Sequence, residues 1–254
     1  MEGMKISETG VVSRPTRKVC WISAGVSSVV ASYLAEDVDD YIYIDVADQH
    51  PDSMRFIKDF EKLLGKEIQI LRSDKFENVE AVCRKTGFIN SPHGAACTGQ
   101  LKMAVRKHWE QSHKHEQLIY VWGFDCNEVK RAQRIRENHF EFEHEFPLIF
   151  NNMTKADAHA YLKEVMHLKR PAMYDLGYSN NNCIGCVKGG MGYWNMIRKD
   201  FPEVFEKRAQ MEQELGCSCL NGTFLSELDP NAGKASREIT EECSLICYFE
   251  HLAS

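Results

Sequence analysis

Four short apolar runs, each closed by small or polar residues, constrain this chain more than any other feature. Lys18-Val19-Cys20-Trp21-Ile22 stops at Ser23-Ala24-Gly25, and Tyr41-Ile42-Tyr43-Ile44 ends at Asp45. Ile68-Gln69-Ile70-Leu71 is the third run, and Leu118-Ile119-Tyr120-Val121-Trp122 is the fourth, closing at Gly123. Between them the apolar spacing becomes helical: Val29, Val30, Tyr33 and Leu34, then Phe56, Ile57, Phe60, Leu63 and Leu64 behind Pro51, which suits a first helical turn. Leu101 to Trp109 reads as a further helix. Strands alternating with helices predict an α/β fold: a parallel twisted sheet with helices on both faces, taking its ligands at the carboxyl ends of the strands.

The second half changes character. Thr154-Lys155-Ala156-Asp157 is a capping box expected to open a helix through His167. Turn formers crowd Tyr178-Ser179-Asn180-Asn181-Asn182 before Cys183-Ile184-Gly185-Cys186, and Pro202 to Leu215 predicts a helix burying Val204, Phe205, Ala209 and Met211. Glu137, Glu141, Glu143 and Glu145, alternating with Phe140, Phe142 and Phe146, suggest one strand with a buried aromatic face. The organisation expected is a flexible tail over 1–17, an α/β domain over 18–150, and a helical and loop region with a cysteine cluster over 151–254.

Composition narrows the function classes. With 43% hydrophobic and 27% charged residues the chain is globular, neither disordered nor fibrous. A net charge of −6 gives no bulk attraction to nucleic acid or an anionic membrane. No apolar run reaches the roughly 18 residues of a membrane span, and the polar start has no signal-like stretch, so a cytoplasmic location is expected. Ten cysteines in such a reducing setting read as metal ligands or reactive thiols rather than a disulfide framework.

The loop Ser23-Ala24-Gly25-Val26-Ser27-Ser28 joins a strand to a helix. Small residues let backbone wrap an anion, the helix start offers N–H groups and a positive dipole end, and Ser23, Ser27 and Ser28 add hydroxyls. An ordinary strand-to-helix turn would use the same residues, and no Lys-Ser/Thr pair follows to make a Walker motif.

The S-x-G-x-x-S pattern resembles the loop of the adenine nucleotide α-hydrolase-like (PP-loop) superfamily. The closer likeness is to its phosphoadenylylsulfate reductase-like branch, with its phage-borne relatives. Asp45-Val46-Ala47-Asp48-Gln49-His50-Pro51-Asp52-Ser53 is similar to that branch's D-T-G-x-x-F-P-E-T, and Cys97-Thr98-Gly99-Gln100-Leu101-Lys102 to its cysteine–lysine segment. Gly123-Phe124-Asp125 with Arg131 resembles its G-x-R…R stretch; Pro147-Leu148, Thr154, Tyr161-Leu162, Tyr174-Asp175-Leu176-Gly177-Tyr178 and the Cys183/Cys186 pair follow in order. The likeness covers roughly 18–190. Val26-Ser27 stands where ATP-pyrophosphatase members carry an acidic residue, which counts against ATP cleavage, and Ala24 replaces a glycine.

The resemblance implies an adenine nucleotide (ATP, adenylylsulfate or phosphoadenylylsulfate) across the strand ends. Its phosphate or sulfate would rest on residues 23–28, Asp45 and Asp48 would lie near ribose and adenine, and Lys102 and Arg131 would neutralise further oxyanions. Read alone, Asp48 and Arg131 are equally solvated surface charges.

The C-x-x-C of Cys183 and Cys186 could place two thiolates on one metal or form a redox dithiol, although a thioredoxin-like motif would open a helix straight after a first strand. The resemblance implies a [4Fe–4S] cluster with Cys97, Cys183 and Cys186 as ligands, Thr98 standing where the family's fourth cysteine would be. An open iron as in tRNA-thiolating relatives, a fourth ligand from Cys243 or Cys247, zinc, and no metal all stay open. Glu242-Cys243-Ser244-Leu245 is similar to the reductases' E-C-G-L-H tail, which makes Cys243 the implied nucleophile; a ligand or packing role is its rival. Cys20, Cys83 and Cys126 read as small buried hydrophobes, and His108, His113 and His115 as a solvated helix end.

Three functions follow as expectations: reductive cleavage of a sulfonucleotide with a thioredoxin- or glutaredoxin-like thiol reductant, ATP-dependent sulfur insertion into a nucleic acid through an iron–sulfur cluster, or a non-catalytic nucleotide sensor. For the nucleic-acid reading, Lys102, Arg106 and Lys107 with Lys130, Arg131, Arg134 and Arg136 are the basic candidates. No membrane partner is expected, and an oligomer is compatible with all three.

Overall fold

In a computed structural model that describes residues 14–91, 94–220 and 222–233, the predicted alternation becomes a parallel sheet. In chain order the first elements are β1 (Thr16–Ile22), α1 (Val26–Leu34), β2 (Asp40–Ile44), α2 (Asp52–Leu64), β3 (Ile68–Leu71) and α3 (Val79–Thr86). Two-residue strands β4 (Asn90–Ser91) and β5 (Gly94–Ala95) form a small antiparallel pair, and Thr98–Met103 is a π-helical segment running into α4 (Ala104–Ser112). Then come β6 (Gln117–Val121), α5 (Val129–Asn138), β7 (Glu143–Glu145), α6 (Pro147–Phe150), α7 (Lys155–Glu164), α8 (Ala172–Asp175), α9 (Met191–Asp200) and α10 (Pro202–Leu215).

The main sheet runs β3-β2-β1-β6-β7, every neighbouring pair parallel. From β1 the chain winds outward through β2 to β3, then returns to lay β6 on the other side of β1. The order therefore reverses between β1 and β6, and in open α/β sheets that reversal is where a ligand crevice forms at the carboxyl ends.

A continuous apolar run suits β1 because both its faces are covered. Cys20 and Ile22 join Val29 and Val30 of α1, Phe56, Ile57 and Phe60 of α2, and Ala158 and Leu162 of α7. Val19 and Trp21 face Trp109 of α4 with Ala132 and Ile135 of α5, Trp21 meeting Trp109 edge to face at 5.5 Å. A third core unites Val82 and Cys83 of α3 with Trp194 and Ile197 of α9 and Phe205, Ala209 and Met211 of α10. Residues on both sides of position 150 share the first and third of these cores, so that boundary does not separate two hydrophobic interiors.

Several expectations change. β1 begins at Thr16, two residues into the expected tail, and its Arg17 pairs with Asp40 at 2.8 Å. Residues 137–146 do not form one strand: α5 runs to Asn138, only Glu143–Glu145 pairs with β6, and Phe140 is 86% exposed. Helical preference in Val129–Asn138 carries the chain past Glu137 before any strand pairing begins. The Thr154 capping box forms, yet its helix ends at Glu164 and His167 takes a left-handed φ of 53°. Among the described residues no helix is long and apolar enough to cross a membrane.

Candidate functional site

The loop after β1 is held from four directions. Ser23 N donates to Ser28 Oγ at 3.0 Å, which leaves the Ser28 hydroxyl proton to be donated elsewhere. Val26 N donates to the Tyr174 hydroxyl at 3.3 Å. Asn181 Nδ2 donates to Ala24 O at 2.8 Å and to Ser53 Oγ, at the start of α2, at 3.0 Å. Gly123, directly beyond β6, lies so close that a Cβ there would stand 2.6 Å from Ser28 Cα. Ala24 itself adopts φ +58°, a conformation costly for a residue with a side chain.

From this loop α1 starts with Gly25 as its cap residue, without a side-chain cap and with no acidic residue in its first turn. Its first N–H groups have no intrahelical partners and carry the positive end of the helix dipole. This anion-favouring end sits where the strand order reverses.

The predicted acidic pair divides. Asp45 Oδ2 takes Arg72 Nε at 2.8 Å and Nη2 at 2.6 Å at the mouth of a cleft of about 530 Å³ lined also by Ala47, Lys75, Phe76 and Leu101. Asp48 is engaged by protein groups. Its Oδ1 pairs with buried Arg208, and its Oδ2 accepts Val79 N at 2.7 Å, capping α3. Both oxygens are committed to holding the fold.

The two expected cations are buried. Lys102 lies on the π-helical segment, one residue after cleft-lining Leu101, and its charge eases the ionisation of nearby Tyr43, whose phenol burial nonetheless pushes well up. Arg131 pairs with Glu128 at 2.8 Å and lies 4.6 Å from the Phe124 ring centre, so its charge is already balanced by a carboxylate. Arg106 is likewise buried, 3.1 Å from Glu110 and stacked over Tyr120. With Lys102, Arg106 and Arg131 turned inward, the seven basic residues do not form one surface patch.

The C-x-x-C lies on a loop stitched to the ends of β1 and β2. Asn181 reaches Ala24, Cys183 forms a bridge with Gln49, and Ile184 N donates to Asp48 O at 2.8 Å. The Tyr193 hydroxyl donates to Cys183 O and accepts Cys186 N, both at 2.9 Å. Gly185 turns at φ +68° with Val204 Cγ1 only 2.6 Å from where a Cβ would be. Cys183 and Cys186 are buried, and Cys97 packs against the same core. Even so, among the described residues no group of three His, Cys, Asp or Glu side chains is gathered as a metal site. Cys97, Cys183 and Cys186 are accordingly not gathered into one site among the described residues. Cys243 and Cys247 lie outside the described residues.

No family model matches this chain, and no curated protein does either. A solved structure does. The chain is similar to the phosphoadenylyl-sulfate (PAPS) reductase of Candida auris in its phosphate complex, with a TM-score of 0.47 and 16% identity over 66% of this chain and 81% of that one.

Other cysteines and histidines behave mostly as expected. Cys20 and Cys83 are fully buried, and burial pushes their thiols up to about 12 and about 11. Cys126 departs from the expectation: it is half-buried, opening the turn after Asp125. His108 and His115 are exposed, whereas His113 stacks on Trp109 at 3.8 Å.

Ser53, Tyr174, Asn181, Tyr193 and Arg208 hold the site together without having been singled out for it. Their only signal was position: Tyr174 and the asparagine run stand next to recognisable motifs, while Arg208 sits on a helix with nothing local to mark it.

Proposed function

We propose that the chain binds an adenine nucleotide in the crevice between β1 and β6 and performs sulfur chemistry there, with reductive cleavage of a sulfonucleotide as the reaction. One observation carries the binding part: the uncapped α1 start, fronted by the braced Ser23–Ser28 loop, lies where the strand order reverses. The sulfur part draws support from the Cys183–Cys186 loop, which is tied to the ends of β1 and β2.

In this reading the Cys243 thiolate attacks the sulfate sulfur. The S–O bond to the nucleotide phosphate breaks, its electron pair leaves on the phosphate, and a cysteinyl thiosulfonate forms. A dithiol reductant then attacks Cys243 Sγ, sulfite leaves with the bonding electrons, and the second reductant thiol frees Cys243 as it closes its own disulfide. The described residues bind and orient the nucleotide: the positive end of the α1 dipole faces its anionic end, and Asp45 with Arg72 borders the neighbouring cleft.

The test uses the full chain purified anaerobically, with AMP titrated by calorimetry and sulfite measured after adding adenylylsulfate or phosphoadenylylsulfate with a dithiol. Sulfite release that disappears in Cys243→Ser is the expected result. Release that survives in that variant removes Cys243 as nucleophile. Pyrophosphate formed from ATP only with RNA or DNA present replaces the reaction by sulfur transfer, and tight AMP binding with no turnover replaces it by a sensor. Iron and sulfide analysis with absorbance at about 400 nm decides the cluster separately.

A further inference from the structure

Ala24 stands at φ +58° in a chain position fully enclosed by protein. A residue with a Cβ resists this conformation by roughly 1–2 kcal/mol, so something must hold it. A side-chain hydrogen bond reaches its carbonyl from Asn181, 157 residues away, at 2.8 Å. Asn181 is only 5% exposed, and its amide nitrogen also donates to Ser53 Oγ at 3.0 Å. The amide cannot be turned over, because the Ala24 carbonyl only accepts and must face nitrogen. Its Oδ1 is consequently directed away from Ala24, and it is buried with no hydrogen-bond partner among the described residues. A buried carbonyl oxygen without a donor is costly, roughly 1–3 kcal/mol, and is retained where geometry at the amide end matters more.

We propose that Asn181 is a positioning residue that locks Ala24 in its left-handed turn, so that the first turn of α1 is already set in place before an anionic ligand arrives. Asn181 touches no reacting atom; it acts through the Ala24 carbonyl. The function of the crevice as a nucleotide site is taken from the preceding reading, while the locking is a property of the loop itself and can be measured without a ligand.

The experiment is a double-mutant cycle between Asn181→Ala and Ala24→Gly, since glycine enters the left-handed region without the steric cost. Hydrogen exchange at the Ser23 and Val26 amides, both hydrogen-bonded within the loop, is the first readout. With Ala24 present, Asn181→Ala should speed their exchange about tenfold; in the Ala24→Gly background the acceleration should shrink to about threefold or less. AMP affinity is the second readout and should follow the same pattern. Asn181→Leu keeps the buried volume without the amide, and it stands in for Asn181→Ala should the cavity prevent folding. Equal effects in both backgrounds overturn the proposal and make Asn181 a packing residue. If the native chain binds no AMP while the exchange cycle shows the expected coupling, the nucleotide reading falls and the locking role stands.

Discussion

Asp48 and Arg208 meet behind the strand ends with almost no water around them, each side chain about a tenth exposed or less. Removing the carboxylate would leave the buried guanidinium with only the more distant Glu80, at 3.9 Å, as its counter-charge. Asp48→Ala is therefore expected to lower unfolding stability by about 3–5 kcal/mol, and adding Arg208→Met should restore more than half of it. Urea unfolding of the three variants checks this, and an unchanged cost in the double variant contradicts it. From the sequence, Asp48 was legible as an acidic residue following a strand. Its partner lies 160 residues further along and no local pattern announces it. Long-range pairing, not residue type, decided the role.

His159 shows the opposite: a residue passed over whose burial predicts a pH response. Burial, aided by Lys155 and Arg170, pushes its imidazole down to about 4, and its ring meets Tyr174 edge-on at 4.7 Å. Because the unfolded chain takes up a proton near 6.5 and the folded one only near 4, the unfolded state binds more protons between those values. Stability contributed by neutral His159 is complete above about pH 6.5 and is lost as pH falls towards 4. His159→Gln should flatten the fall in melting temperature across that window, and an unaltered slope would assign the acid sensitivity elsewhere.

At the scale of elements, two glycines set close approaches that no other residue fits. Gly123→Ala would drive a Cβ into the Ser28 backbone, displacing the start of α1. AMP affinity is expected to fall at least about tenfold, because the strain lands on the first turn of α1. Calorimetry checks the affinity, and far-ultraviolet circular dichroism the fold. Gly185→Ala combines a positive φ with a 2.6 Å approach to Val204, so it should destabilise by about 2–4 kcal/mol and expose Cys183 and Cys186 to faster reaction with a thiol reagent. Helices with strong patterns were legible to within a residue or two, α10 from Pro202 to Leu215 among them. The alternating acidic and aromatic stretch misled because period two is a weak claim on residues that α5 and a turn use first.

For the whole molecule, the decisive event is the switch between β1 and β6, which follows from the alternation of runs and the parallel pairing it demands. The loop carrying residues 180–186 was recognisable as turn-rich but not as a strap across two strand ends, since that depends on where the third core docks. If the strap and the anion loop are one assembly, AMP at about 100 times its Kd should raise global stability by about 2.7 kcal/mol. It should also slow exchange in both segments together; protection confined to 23–28 would separate them.

The bond between Ala24 and Asn181 also sets an order in time. A ribosome delivers the amino-terminal strands first, so β1 and the residues of its loop emerge while Asn181 is still unmade. The nascent sheet cannot receive that bond until most of the chain has been synthesised, and the loop acquires its finished shape only then. A growing polypeptide of this kind carries an incomplete β1–α1 loop through most of its synthesis.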